Sequence, residues 1–288
     1  MSALGFHVTI RTVDDSPIAP SDRDRRAVAR VALAVGRAHG LFVFGVPDWH
    51  FHGGLVATRD SAGRFAQRLE LALKAAVPTL APLEPARIRP FRDGRHRANT
   101  VRYCLTQAEH HGVTTDPYRE CSNLPDLLGL RLLGAYTLPR VREVAPRLQP
   151  RDVRRFLGLP MPEPGSPAPD ALVEAALAAT ALPSLAGRHP EVNEARLAAV
   201  HAAPELDAAV LADALGLTAR AVRRLRARTP REALVRAVRL QASLRDAHPA
   251  PDCFADAPPP PYATSITTFP TTRPLFERAH ASPTRASG

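Results

Sequence analysis

The hydrophobic and polar positions fall into two regimes along the chain. Phe6-His7-Val8-Thr9-Ile10 alternates and is rich in β-branched residues, the pattern of a half-buried strand. Ser21-Asp22 can cap a helix running to His39, with Val28, Val31, Ala32 and Val35 on its apolar side and Gly40 ending it. Leu41 to Val46 is a short apolar strand. Pro47-Asp48 turns or bulges the chain, and Trp49 to Ala57 reads as the next strand. Asp60-Ser61 caps a second helix to about Val77, with Phe65, Leu69 and Leu73 at helical spacing. Leu83 to Phe91 is extended, and Pro85 and Pro90 confine it to a sheet edge. Asp93-Gly94 turns into a third helix, His96 to His111, closed by Gly112. The order β-α-β-β-α-β followed by a helix predicts an α+β fold of the ferredoxin-like, split βαβ kind. That fold hosts many activities and names none.

After Asp116-Pro117 the pattern becomes helical and proline-punctuated. Four parts are expected: an α+β domain over 1–135; a helical extension and linker over 136–169, rich in Pro and Gly from Met161; an all-α region over 170–247; and a tail over 248–288. Asp170 to His201 holds one or two alanine-rich helices. The tail, with Pro258 to Pro261 and a Thr/Ser-rich end, has the composition of a disordered segment.

Composition narrows the partners. The 288 residues carry 38 Lys and Arg against 28 Asp and Glu, a formal charge of +10. Most of the excess is arginine, which grips phosphate with two parallel hydrogen bonds, so a polyanion is the first expectation. GC-rich coding also raises Arg, Ala and Pro, so charge alone does not decide the matter. Cys104, Cys121 and Cys253 have no paired spacing, which excludes a disulfide framework or zinc finger and fits a reducing compartment. With no signal peptide and no apolar run able to cross a bilayer, the expectation is a soluble, cytoplasmic, nucleoid-associated protein without a membrane partner.

The candidate chemistry begins at Trp49-His50-Phe51-His52. In a strand the period of two puts both imidazoles on one face, with Trp49 and Phe51 on the other. Gly53-Gly54 comes next, and residues without side chains let another backbone or a ligand approach. On the third helix, Ala98, Val101, Leu105 and Ala108 define a core face. Tyr103 and Gln107, four apart, project together away from it, with Asn99 and His110 nearby. Each half has an ordinary reading: a His-x-His accident of a half-buried sheet, and a surface tyrosine beside a solvated glutamine. Combined, two imidazoles and the Gln107 carboxamide could hold a metal that polarises a phosphodiester. Tyr103 would then stand one helical turn away as a nucleophile.

His50-Phe51-His52 followed by Tyr103-Cys104-Leu105-Thr106-Gln107 resembles the HUH motif and catalytic helix of single-tyrosine HUH transposases, with the REP-associated tyrosine transposases as the most similar branch. Phe6-His7-Val8-Thr9 resembles the family's opening strand, and Gly45-Val46-Pro47-Asp48 its approach to the motif. His110-His111-Gly112-Val113, Asp116-Pro117-Tyr118, Ser122 and Asp126-Leu127-Leu128-Gly129 resemble the family's segment on the C-terminal side of the tyrosine helix. The resemblance spans residues 4 to 130. It implies His50, His52 and Gln107 as ligands of Mg²⁺ or Mn²⁺ and Tyr103 as nucleophile. The implied activity is cleavage of single-stranded DNA, often beside a hairpin, through a 5′-phosphotyrosine with a free 3′-hydroxyl. Imidazole is not magnesium's preferred ligand, so manganese is expected to bind better. Cys121 and Asn123 depart from the branch, which usually has a tryptophan and a second serine there; DNA specificity and dimer geometry are what that touches.

Leu206 to Arg228 carries a helix-turn-helix pattern over 207–228. Ala212 is small where helices cross, Gly216 permits the turn, and Val222 anchors the second helix. Leu211, Leu215, Leu217 and Leu225 fill core positions. Arg220, Arg223, Arg224, Arg226 and Arg228 stud the second helix, which could enter a duplex groove. The ordinary reading is a helical hairpin with a solvated arginine face. The leading expectation is therefore a metal-dependent DNA strand transferase, monomeric or homodimeric, with an added duplex-binding module. The alternative is a catalytically inactive or domesticated DNA-binding regulator. His7-x-Thr9 faintly resembles the two-histidine phosphoesterases, but no second His-x-Thr or His-x-Ser accompanies it.

Overall fold

The computed structural model of the chain describes residues 4–110, 116, 118–144 and 167–247, with backbone alone at 107–110 and 247. The fold is α+β, built on one four-stranded antiparallel sheet. Strands β1 (Phe6–Arg11), β2 (Leu41–Gly45), β3 (His50–Leu55) and β4 (Arg87–Pro90) lie in the order β2-β3-β1-β4. Helix α1 (Asp22–His39) connects β1 to β2, and α2 (Arg59–Ala76) connects β3 to β4. Sequence pattern and structure agree on all six elements, with boundaries shifted by a few residues. Local chemistry accounts for that agreement. The Ser21 side chain accepts from the Asp24 backbone N–H at the start of α1, and Gly40 closes it with φ 78°, where a Cβ would be strained. Helix α2 starts on Thr58 rather than Asp60, because the Thr58 hydroxyl caps the Ser61 N–H.

Helices pack on both faces of the sheet. On one side α1 and α2 bring Val28, Ala32, Leu33, Phe65, Leu69 and Leu73 against Val8, Ile10, Phe44 and Phe51. On the other, helix α3 (Gly94–His110) brings Val101, Cys104 and Leu105 against Phe42, Val43 and Phe91. Burying each such large apolar side chain contributes roughly 1.5–3 kcal/mol. Short helices α4 (Leu124–Leu127) and α5 (Thr137–Val144) complete this second layer. As its prolines required, the fourth strand lies at an edge, pairing only β1. The opposite edge, β2, is blunted by a side chain: Asn123 accepts from the Phe44 N–H at 3.1 Å and donates to the Phe42 carbonyl at 3.0 Å. The amide thus imitates a paired strand along Phe42–Phe44, and the Asn123 N–H adds a bond to the Phe44 carbonyl.

Helices α6 (Pro169–Thr180), α7 (Pro190–Ala202), α8 (Ala208–Ala214), α9 (Ala219–Arg226) and α10 (Glu232–Ala247) form a separate, alanine-rich core. Helix α10 packs along α6 and α7. Polar bonds lock this body to the sheet. Gln241 donates to the Leu130 carbonyl at 3.1 Å, Arg245 of α10 pairs with Glu120, and Arg26 of α1 pairs with both Glu120 and Glu174. Most of the expected 136–169 linker (145–166) and the whole 248–288 tail lie outside the described residues. No helix among the described residues is long and apolar enough to cross a membrane.

Candidate active site

The antiparallel register decides which side chains share the α3 face of the sheet. Thr9 stands opposite His52, Arg11 opposite His50 and His7 opposite Gly54 across β1 and β3; on β4, Arg87 stands opposite Thr9 and Arg89 opposite His7. One polar row therefore runs Arg87–Thr9–His52 across three strands. Phe51 turns to the other face and stacks on Phe44 with centroids 5.8 Å apart. The two imidazoles of β3 lie on one face, as the strand period requires, with ring centroids 4.5 Å apart.

Helix α3 packs on β2 and β3, at the His52 end of this row. The Tyr103 ring meets His52 edge-on, with centroids 5.0 Å apart. The sequence placed Tyr103 away from the helix's core face. Instead it is half-buried at the flank of that face, because the helix packs on the sheet rather than standing clear of it. Next to it, Cys104 is buried and its thiol is pushed well up by burial, which leaves it inert. Gln107 lies on the same helix, but its side chain is outside the described residues, as are those of Ala108, Glu109 and His110.

The imidazoles are buried rather than turned to open solvent. His50 is 7% and His52 9% exposed, and both are reached through a cavity of 190 Å³ that Arg11 and Arg87 also line. Trp49 lines the same cavity. It precedes β3, which begins at His50, so the alternation that would have put it opposite the histidines does not extend back to it. Its ring meets His50 at 5.3 Å. The glycine pair also differs from expectation. A Cβ on Gly53 would lie 2.7 Å from the Phe51 ring, and one on Gly54 2.7 Å from the Phe42 ring. The glycines make room for two core aromatics, not for a ligand.

A third histidine joins the row. His7 Nε2 and His52 Nδ1 hydrogen-bond at 3.0 Å, and Thr9 Oγ1 lies 3.3 Å from the same nitrogen. Burial first, then the charges of His96 and Arg89, lower the His7 pKa to about 4, so it is neutral near pH 7. The signal for His7 was present in the sequence: it shares the polar face of β1 with Thr9 and Arg11. What the sequence lacked was the register that pairs this face with His52. No group of three His, Cys, Asp or Glu able to hold a metal occurs among the described residues. Among the described side chains, His50 and His52 are the two imidazoles of β3 that share this face.

Of the arginines singled out in the helical region, Arg220, Arg223, Arg224 and Arg228 are exposed. Arg226 is partly buried and donates to the Leu206 carbonyl, so its guanidinium ties α9 to the chain before α8. The two short helices meet as their caps direct: Asp207 caps α8, Thr218 caps α9, and Gly216 turns between them at φ 60°. Val222 is fully buried and Ala212 is 6% exposed.

No protein-family model matches the chain, and neither a curated protein nor a solved structure is detectably similar to it.

Proposed function

We propose that the protein is a metal-dependent tyrosine transesterase of single-stranded DNA, similar to the HUH transposases, with a helix-turn-helix module in its α-helical region. One observation carries the reading: a tyrosine from a helix and two same-face histidines from a strand, far apart in sequence, meet ring to ring in one polar row. The ferredoxin-like reading has support in the β-α-β-β-α-β order, the strand order β2-β3-β1-β4, and two connecting helices packed on one face.

The donor chemistry fits a divalent ion. His50 and His52 would hold it with the Gln107 carboxamide, and this nitrogen-rich set favours manganese over magnesium. When bound, the ion would neutralise charge developing on a phosphodiester oxygen. The chain's own residues do the rest. The hydrogen bond between His52 Nδ1 and His7 Nε2 fixes the ring's orientation, and with Nδ1 engaged there Nε2 is the nitrogen that would take a metal. The Tyr103 oxygen forms a bond to phosphorus and gives up its proton to solvent, the P–O3′ bond breaks, and the leaving 3′ oxygen takes up a proton from solvent to become a hydroxyl. The product is a 5′-phosphotyrosine that a 3′-hydroxyl can reverse.

Incubation with labelled single-stranded hairpin DNA and Mn²⁺, followed by denaturing electrophoresis, tests this reading. Nicking and a covalent protein–DNA band are expected, both absent in Tyr103→Phe. Cleavage that survives Tyr103→Phe defeats the tyrosine mechanism. The second reading, a DNA-binding regulator without catalysis, draws on the exposed Arg220, Arg223, Arg224 and Arg228 of the α9 region. DNA binding without cleavage on every hairpin tried would favour it.

A further inference from the structure

The cavity beside the histidines has more in it than a metal or a nucleophile requires. Its wall carries Trp49, the sole tryptophan of the chain, half-buried and placed on a polar surface instead of in the core. Across from the histidines stand Arg11, Glu84 and Arg87. Glu84 lies 3.0 Å from Arg11 Nε and 3.6 Å from Arg87, and Arg11 also reaches Asp15 at 3.8 Å. Arg11 is thus committed to two carboxylates, whereas Arg87, with a side chain 60% exposed, presents its guanidinium at the rim. A flat aromatic wall, a carboxylate able to accept from ring N–H groups and a rim guanidinium form the chemistry of a single-strand subsite: aromatic faces stack bases and arginine takes the backbone. The volume of 190 Å³ is several times the roughly 30 Å³ share of one water, enough for a planar heterocycle. A base within a duplex is already stacked on both faces and cannot enter.

We propose that this cavity is a subsite for one unpaired nucleobase of the DNA strand, stacked on Trp49 with its adjoining phosphate on Arg87, next to the phosphodiester being cut. The subsite rests on the transesterase reading for its place beside the scissile bond, but its binding is measured without cleavage. Because Trp49 is the only tryptophan, its fluorescence reports on this wall and not on the arginines of α9.

The test uses full-length Tyr103→Phe protein, so that the strand stays intact. It is titrated with a single-stranded hexanucleotide, a duplex of the same sequence, and a hexamer of abasic sites. Quenching of Trp49 by the single strand is expected, with duplex and abasic hexamer about ten-fold weaker or more, in keeping with the loss of affinity when a stacking platform is removed. Arg87→Glu, at an exposed position that should not disturb folding, is expected to weaken the single strand's half-saturation about ten-fold. Trp49→Ala, followed by anisotropy of a labelled hexamer, should lose more affinity than Trp49→Phe. Equal quenching by the abasic hexamer would reduce the site to backbone binding and overturn the proposal. So would quenching by the duplex, or none by any single strand. Quenching without nicking in the wild type would sink the transesterase reading and leave the subsite standing. Nicking without quenching would do the reverse.

Discussion

Glu120 sits where the sheet and the α-helical body meet, with its side chain 4% exposed. Arg26 Nε of α1 lies 2.7 Å away, and Arg245 of α10 pairs with its other oxygen. Burial pushes the Glu120 carboxyl up, but Arg245, Arg26 and Arg131 outweigh it and hold the carboxyl below its ordinary 4.5. Glu120→Gln preserves shape and deletes the charge, which leaves two buried guanidiniums without their shared anion. Removing one partner of a buried ion pair costs about 3–5 kcal/mol. Here Arg26 keeps Glu174, and Arg245 keeps the Gln241 carboxamide and the face of Tyr118 at 4.3 Å. The expected loss therefore lies near the lower figure, about 3 kcal/mol. At a urea slope of about 2 kcal/mol/M this moves the unfolding midpoint by about 1.5 M. Circular dichroism of the full chain reads it. Glu174→Gln removes the more exposed partner of the same Arg26, 47% exposed, and should cost less than about 1 kcal/mol. A loss below about 1 kcal/mol for Glu120→Gln, or equal losses for the two variants, would refute the account. The pH dependence has a definite sign. Because the folded carboxyl titrates below the unfolded one, its contribution is complete above 4.5 and is lost as pH falls through the folded value. The gap between wild type and Glu120→Gln should hold steady from neutrality to pH 5 and close in more acid solution.

Three further outcomes are expected. His7→Ala removes the hydrogen bond that orients His52, and calorimetric titration with Mn²⁺ should show affinity about 10–100-fold weaker; unchanged affinity would remove His7 from the site, whereas no binding even by wild type would remove the metal. Asn123→Ala leaves the buried Phe44 N–H and Phe42 carbonyl without their partner, and a loss of about 2–4 kcal/mol in chemical denaturation is expected; a loss under about 0.5 kcal/mol would mean that the edge of β2 finds another partner. Replacing Arg220, Arg223, Arg224 and Arg228 by glutamine should flatten the salt dependence of duplex DNA binding, by about 0.9 in the log–log slope for each phosphate that is no longer neutralised. An unchanged slope would show that α9 does not touch the duplex.

Much of the α+β part was legible because its rules are local. The Ser21 and Gly40 caps, the alternation of β1 and the prolines of the fourth strand each act within a few residues, and each element stands where the pattern put it. The same period placed His50 and His52 on one face. Tertiary structure decided everything that depends on register and packing. The start of β3 at His50 moved Trp49 onto the cavity wall. The Phe42 and Phe51 rings explain Gly54 and Gly53 better than any ligand. Helix α3 laid Tyr103 against His52, and pairing of β1 with β3 brought His7 to the same ring. Glu120 gave no local sign of its ion pairs, since Arg26 and Arg245 are 94 and 125 residues away. A side chain's face is set by its own strand or helix, but the cover over that face comes from segments that only folding brings near.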